Sequence, residues 1–228
     1  MPPLSPQRHP ALNYHFEEGK AWLEVSNDGK NTSALSYAAF EFRLAIERIV
    51  LQYWTALVPG GAEEITFKSI RSYKSIEKEI VEIAGHQKEI NSQFEFARLL
   101  IQALKIPWKI PTPDIGKFSG YWHECSELCH IAWTLASANQ ELVFIAYRNL
   151  LEISDFLKEH VEGVVTWAKI ADMPFREIQD DFVAGRVTAD DVLNHLKKVG
   201  VYAVEHAEGK PPRFIGEAIP PSDNDSSV

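Results

Sequence analysis

The chain has 228 residues, 45% of them hydrophobic, enough to bury a core as one domain with an appendage or as two small domains. Its net charge of −9 and pI near 5.4 set it against phosphate backbones, which excludes broad coating of nucleic acid unless the basic residues cluster. No stretch approaches the roughly 18 apolar residues of a membrane span, so no membrane association is expected.

Residues 1–10 read as a proline-rich lead-in with no apolar core of a signal peptide. A first helix is expected over about 11–25. The turn Ser26-Asn27-Asp28-Gly29-Lys30-Asn31 breaks it, and Thr32 or Ser33 is the expected cap of the next. That second helix carries Leu35, Ala38, Phe42, Ile46, Ile49 and Tyr53 close to the helical period. A second side holds Phe40, Val50 and Trp54 together with Arg43 and Glu47. A helix apolar on two sides is wrapped by neighbours, so Arg43 and Glu47 are expected to be a half-buried structural polar pair. Glu47→Ala is then expected to cost more than Glu41→Ala. Pro59-Gly60-Gly61 stops the helix.

A third helix is expected over about 64–84 with a core stripe of Ile70, Tyr73, Ile76, Ile80 and Ile83. A fourth, about 88–104, turns Phe94, Ala97, Leu100, Ile101 and Leu104 inward. The prolines of Ile106-Pro107-Trp108-Lys109-Ile110-Pro111-Thr112-Pro113 forbid a helix there. A fifth helix starts near Asp114 or Phe118 and reaches 136. A sixth, about 139–161, has Ser137 as its cap and Leu142, Ile145, Ile153, Phe156 and Leu157 inward. Two short helices follow, about 174–183 and 189–199, each ending at a glycine. Thr188-Ala189-Asp190-Asp191 is a loose capping box. Val201-Tyr202-Ala203-Val204 and Arg213-Phe214-Ile215 then read as a small hairpin.

The fold class is therefore mainly α: a helical bundle of about six helices with a small C-terminal α+β appendage. The expected divisions are a lead-in 1–10, a helical domain 11–163, an α+β subdomain 164–219 and a disordered tail 220–228.

On the fifth helix, His123, Glu127 and His130 share one face, with Thr134 beside them. Two histidines and a carboxylate on one face are divalent-metal ligands, with a partner helix needed to complete the set. The plainer alternative is a polar face held by hydrogen bonds one turn apart, and the His-Glu-x-x-His zinc pattern is absent. Cys125 and Cys129, the two cysteines, fall on the opposite face with Trp122, Ala132, Trp133 and Ala136. Four apart in one helix they are poorly placed for a disulfide, which implies reduced thiols and a cytoplasmic protein. Buried cysteine behaves as a small hydrophobe, and His130 points away from Cys129.

The third helix shows Lys68, Arg71, Lys74 and Lys78 opposite its isoleucine stripe, a candidate contact for nucleic acid or an acidic partner. Glu79 and Glu82 interrupt that face and favour a solvated surface. On the sixth helix, Arg148 shares its face with Glu141, Glu152, Asp155 and Glu159, so an exposed arginine against Glu152 is expected. Asn149 lies nearer the inward stripe and needs a partner. Asp180-Asp181 and Asp190-Asp191 fit capping and solvation better than metal binding. There is no phosphate-binding glycine loop, no serine nucleophile elbow and no paired-cysteine zinc motif, and no cofactor is expected.

The run Ala38-Ala39-Phe40-Glu41-Phe42-Arg43-Leu44-Ala45-Ile46-Glu47 resembles the Ala…Arg…Ala-x-Glu helix of HEPN-like helical domains. The resemblance covers about residues 11–162 through this helix pattern and the all-helical order. Nuclease members of that family carry an Arg, often followed by Asn, with a His four to six residues beyond the Arg. Arg148-Asn149 matches the first half. Ile153 stands at the commonest position for His, and residues 152–156 contain none. The resemblance thus implies a degenerate, non-nucleolytic member. Such domains serve as dimerisation or partner-binding modules in bacterial toxin–antitoxin and phage-defence systems. The expected function is a non-catalytic interaction module, a homo-oligomer or an accessory subunit bound to a larger protein. The alternative is a HEPN-type ribonuclease with an unorthodox active site of Arg148, Asn149, His123 and His130, although net charge disfavours RNA.

Overall fold

The computed structural model describes residues 13–58, 72–130, 139–167, 173–205 and 211–220. Among them the chain is mainly helical, with a two-stranded antiparallel sheet near the C-terminus, as the hydrophobic periodicity predicts. The helices are α1 (Tyr14–Val25), α2 (Thr32–Leu57), α3 (Tyr73–Ala84), α4 (Gln87–Ala103), α5 (Ile115–His130), α6 (Gln140–Glu162), α7 (Met173–Val183) and α8 (Ala189–Val199). The strands are β1 (Val201–Glu205) and β2 (Arg213–Ile219). Among the described residues no helix is long and apolar enough to cross a membrane.

Two compact units divide the chain. The first comprises residues 1–83 and 113–166, the second 84–112 and 167–228. The segment 84–112 therefore clusters with the C-terminal elements, although the order of helices suggests one domain over 11–163. Its apolar face is completed by α7 and α8, a long-range pairing that local periodicity does not reveal.

In the first unit, α2 packs against α1, α5 and α6. This explains why it is apolar on more than one side: Leu35, Ala38, Ala39, Phe42, Ala45, Ile46, Ile49, Val50 and Tyr53 are all fully buried. The preceding turn holds Asn27, Asp28 and Gly29 at φ 50°, 54° and 86°, left-handed conformations that Asn, Asp and Gly tolerate best. Asn31, rather than Thr32 or Ser33, caps α2: its side-chain oxygen accepts from the Ala34 N–H at 3.3 Å. Phe40, on the second apolar side of the sequence pattern, is exposed with Tyr37 instead of buried. Both face an open groove, about 530 Å³, bordered by Trp22 of α1 and Cys129 of α5. Gly19 lets α1 approach α2 closely, for a Cβ there would lie 2.5 Å from two Phe42 ring carbons.

α5 starts at Ile115, with Asp114 Oδ1 accepting from the Lys117 N–H at 2.9 Å; its expected extension beyond 130 lies outside the described residues. Asn139 caps α6 by accepting from the Leu142 N–H at 2.9 Å; Ser137, the expected cap, lies outside the described residues. The buried stripe of α6 is Ala146, Leu150, Ile153, Leu157 and His160. Leu142 and Ile145, expected inward, are exposed. Two apolar stripes overlap in this sequence, and the buried one runs through a small Ala and a His that hydropathy alone underweights. On α3, Tyr73, Ile76 and Ile80 are buried while Ile83 is exposed. Residues 64–71, with Ile70, lie outside the described residues.

In the second unit, Phe96 of α4 is fully buried with Val192 and Leu196 of α8, and Phe182, Val201 and Ile219 pack around them. Trp167 meets Phe94 edge to face, and its indole N–H donates to Gln93 Oε1 at 2.9 Å. α8 opens with the expected capping box: Thr188 Oγ1 accepts from the Asp191 N–H at 3.3 Å, and Asp191 Oδ2 from the Thr188 N–H at 2.9 Å. β1 and β2 pair antiparallel, Val204 opposite Phe214 and Ala203 opposite Ile215. β2 docks on the end of α4 through Glu217 N–H to Leu104 O at 2.6 Å.

Candidate functional site

Arg43 and Glu47 stand one turn apart on α2, and Arg43 Nε donates to Glu47 Oε1 at 3.2 Å. Their side chains are 26% and 36% exposed, so the pair is half-buried, as the two-sided pattern of α2 requires. Two aromatic residues complete the cluster. Trp122 of α5 donates its indole N–H to the same Glu47 oxygen at 2.8 Å. The Arg43 guanidinium carbon lies 4.8 Å from a Trp122 ring centroid, within cation–π range. Tyr73, the first residue of α3, stacks on Trp122 with ring centroids 5.1 Å apart and planes 11° apart.

A cavity of about 470 Å³ opens here, lined by Arg43, Glu47, Leu51, Ser72, Tyr73, Ile76 and Trp122. Tyr73 is only 5% exposed, and among the described residues its hydroxyl has no hydrogen-bond partner. Leaving such a group unpaired costs roughly 1–3 kcal/mol. Burial, joined by the Glu77 and Glu47 carboxylates, pushes its phenol well above the usual tyrosine range. It is thus a neutral donor at any physiological pH. The charge of Glu77 is itself tied, accepting from Ser119 Oγ at 3.3 Å. The arrangement offers the unpartnered Tyr73 hydroxyl beside a carboxylate, in a partly apolar cavity, which suits recognition of a ligand.

The other candidate residues are dispersed. Asn149 finds its partner in Glu124, whose carboxylate accepts from the Asn149 amide. Arg148 is exposed, and the expected Glu152 partner instead accepts from the Tyr121 hydroxyl at 2.7 Å. Ile153 is fully buried. His123 is exposed with its ring beside Trp122, centroids 5.0 Å apart, and Glu127 is exposed. The His130 side chain lies outside the described residues. Among those described, no three or more metal-ligating side chains come together.

Cys125 is buried and Cys129 half-buried. Burial pushes both thiols up, with the Arg43 charge partly offsetting this, so neither is a thiolate nucleophile near neutral pH. Of the basic strip, Lys68 and Arg71 lie outside the described residues. Lys74 is exposed, and Lys78 pairs with Glu82 at 3.5 Å. Asp181 pairs with Arg186 at 2.6 Å, and Asp191 serves the capping box.

Periodicity marks Arg43 and Glu47 as a pair but passes over Tyr73 and Trp122, because aromatic residues at helical spacing read as core. The signal that could have found Trp122 is its polar N–H, which needs an acceptor once buried. Comparison with family models, with curated proteins and with solved structures found no match for this chain.

Proposed function

We propose that the chain is a non-catalytic, HEPN-like helical interaction module that acts as an oligomerising or accessory subunit of a bacterial toxin–antitoxin or phage-defence assembly. The observation that carries this reading is the state of the Arg148-Asn149 couple. Asn149 is bound to Glu124, Arg148 is exposed, and Ile153, which stands where the family's nucleases place His, is fully buried. Isoleucine can neither transfer a proton nor position a ribose hydroxyl. The assignment to a kind of assembly rests on the family resemblance.

Size-exclusion chromatography with light scattering, paired with cleavage of a fluorescent single-stranded RNA, tests this. The expected outcome is a homo-oligomer or a defined complex, with no cleavage above buffer and no change on Arg148→Ala. Cleavage abolished by Arg148→Ala would return the ribonuclease reading. A monomer that forms no complex in its native extract would remove the interaction module.

A further inference from the structure

We propose that the cavity between α2, α3 and α5 binds a small neutral molecule with a carbonyl-type acceptor on a flat apolar body, the acceptor being held by the Tyr73 hydroxyl and the outer edge of the Arg43 guanidinium. This goes beyond the interaction-module reading and is independent of it.

The donors come first. Tyr73 is 5% exposed, lines the cavity and has an O–H without a partner among the described residues. A guanidinium carries five N–H donors and no acceptor. Among the described residues Arg43 gives its Nε–H to Glu47, at 3.2 Å, and its terminal N–H groups take no protein acceptor, which leaves them for a ligand. Both groups donate, so what they hold must accept.

The charges come next. Arg43 is matched by Glu47, which also takes the Trp122 indole N–H at 2.8 Å. An added anion would face Glu47, with no unmatched cation lining the cavity among the described residues, and the Glu77 carboxylate also acts on Tyr73. An added cation would face Arg43. A neutral occupant avoids both penalties. Glu47 keeps a second carboxylate oxygen, so the Arg43–Glu47 pair offers a donor beside an acceptor. This complements an amide or lactam, in which C=O and N–H are adjacent. Leu51 and Ile76 supply apolar walls. The volume of about 470 Å³ falls within the usual range for small-molecule sites.

Benzamide is the probe, with benzoate and benzylamine as charged isosteres. Binding to the full chain is followed at the Trp122 indole N–H in proton–nitrogen spectra, assigned by its loss in Trp122→Phe. The expected result is a saturable benzamide shift, with weaker binding of both charged probes. Tyr73→Phe should weaken benzamide roughly threefold to tenfold while leaving the melting temperature of the unligated protein level or higher. A merely structural tyrosine would leave binding unchanged. Leu51→Phe, which narrows the cavity and keeps Tyr73, should abolish the shift. Absence of a benzamide shift, unchanged binding by Tyr73→Phe, or tighter binding of benzoate or benzylamine would each overturn the proposal.

Discussion

Tyr53 and His160 lie 107 positions apart in sequence, and the Tyr53 hydroxyl sits 2.9 Å from His160 Nδ1 inside the first unit. His160 is 1% exposed, and its ring meets those of Phe118 and Phe156 at 4.8 and 4.9 Å. Burial pulls the imidazole down from 6.5 to about 4, against a smaller upward pull from Asp114. The neutral ring can accept at Nδ1, whereas a protonated ring has only donors.

Stability should therefore depend on pH through this residue. Above pH 6.5 the ring is neutral in both folded and unfolded chains. Between pH 6.5 and about 4 the unfolded chain takes up a proton that the folded chain refuses. The loss over that window is on the order of 3 kcal/mol. Urea unfolding of the native chain and of His160→Gln at pH 7.5, 5.5 and 4.5 checks this. The gap in stability between the two should close as pH falls, and a constant gap would refute the argument.

Gly19→Ala and Gly120→Ala should move stability in opposite directions. Alanine gains about 1 kcal/mol over glycine in a helix interior. On α5 nothing lies within 4 Å of a Cβ at Gly120, so that gain should appear as a higher melting temperature. At Gly19 the Cβ would strike Phe42, a fully buried ring. Overpacking of that kind costs about 1–3 kcal/mol and should leave a net loss. Thermal unfolding of the two variants side by side decides it.

Glu41 should matter at least as much as Glu47, the reverse of the order read from sequence. Glu41 Oε2 is 2.6 Å from His15 Nδ1, and the side chains are 18% and 12% exposed. Glu47 is more open, so in Glu47→Ala its two donors can turn to water. Glu41→Ala should cost roughly 1–3 kcal/mol. A double-mutant cycle with His15→Ala should return most of that as coupling energy; additive losses would show that the pair contributes nothing.

Gly216→Ala should loosen β2 from α4. Gly216 has φ 70°, a left-handed conformation that costs other residues roughly 1–2 kcal/mol, and its added Cβ would run into the Leu104 carbonyl. Hydrogen exchange at the Glu217 amide, bonded to that carbonyl, should quicken about tenfold or more, while amides around Phe42 keep their protection.

What sequence reveals here follows the range of the forces involved. The Thr188–Asp191 box, the turn at Asn27-Asp28-Gly29 and the half-burial of Arg43 and Glu47 are all written within a few residues, and all are legible. The face of α6 is not, because Leu142 and Ile145 outweigh Ala146 and His160 on any hydropathy count, while burial is decided by α2. The contacts of Glu47 with Trp122, and of Tyr53 with His160, join residues 75 and 107 positions apart, and no local pattern announces them. The burial of Phe96 is hidden for the same reason: its partners, Val192 and Leu196, lie nearly a hundred residues downstream.

That last pairing also governs the order in which the chain can mature. Because the units interleave at 83/84, 112/113 and 166/167, a nascent chain cannot finish the first before residue 166 emerges. α4 must then wait, with Phe96 uncovered, until α8 leaves the ribosome. A fragment ending at 163 would carry that uncovered helix permanently and should be recovered in inclusion bodies. A shortened gene that joins Ile83 directly to Pro113 through a few glycines and stops at Thr166 removes the orphan along with its missing partners.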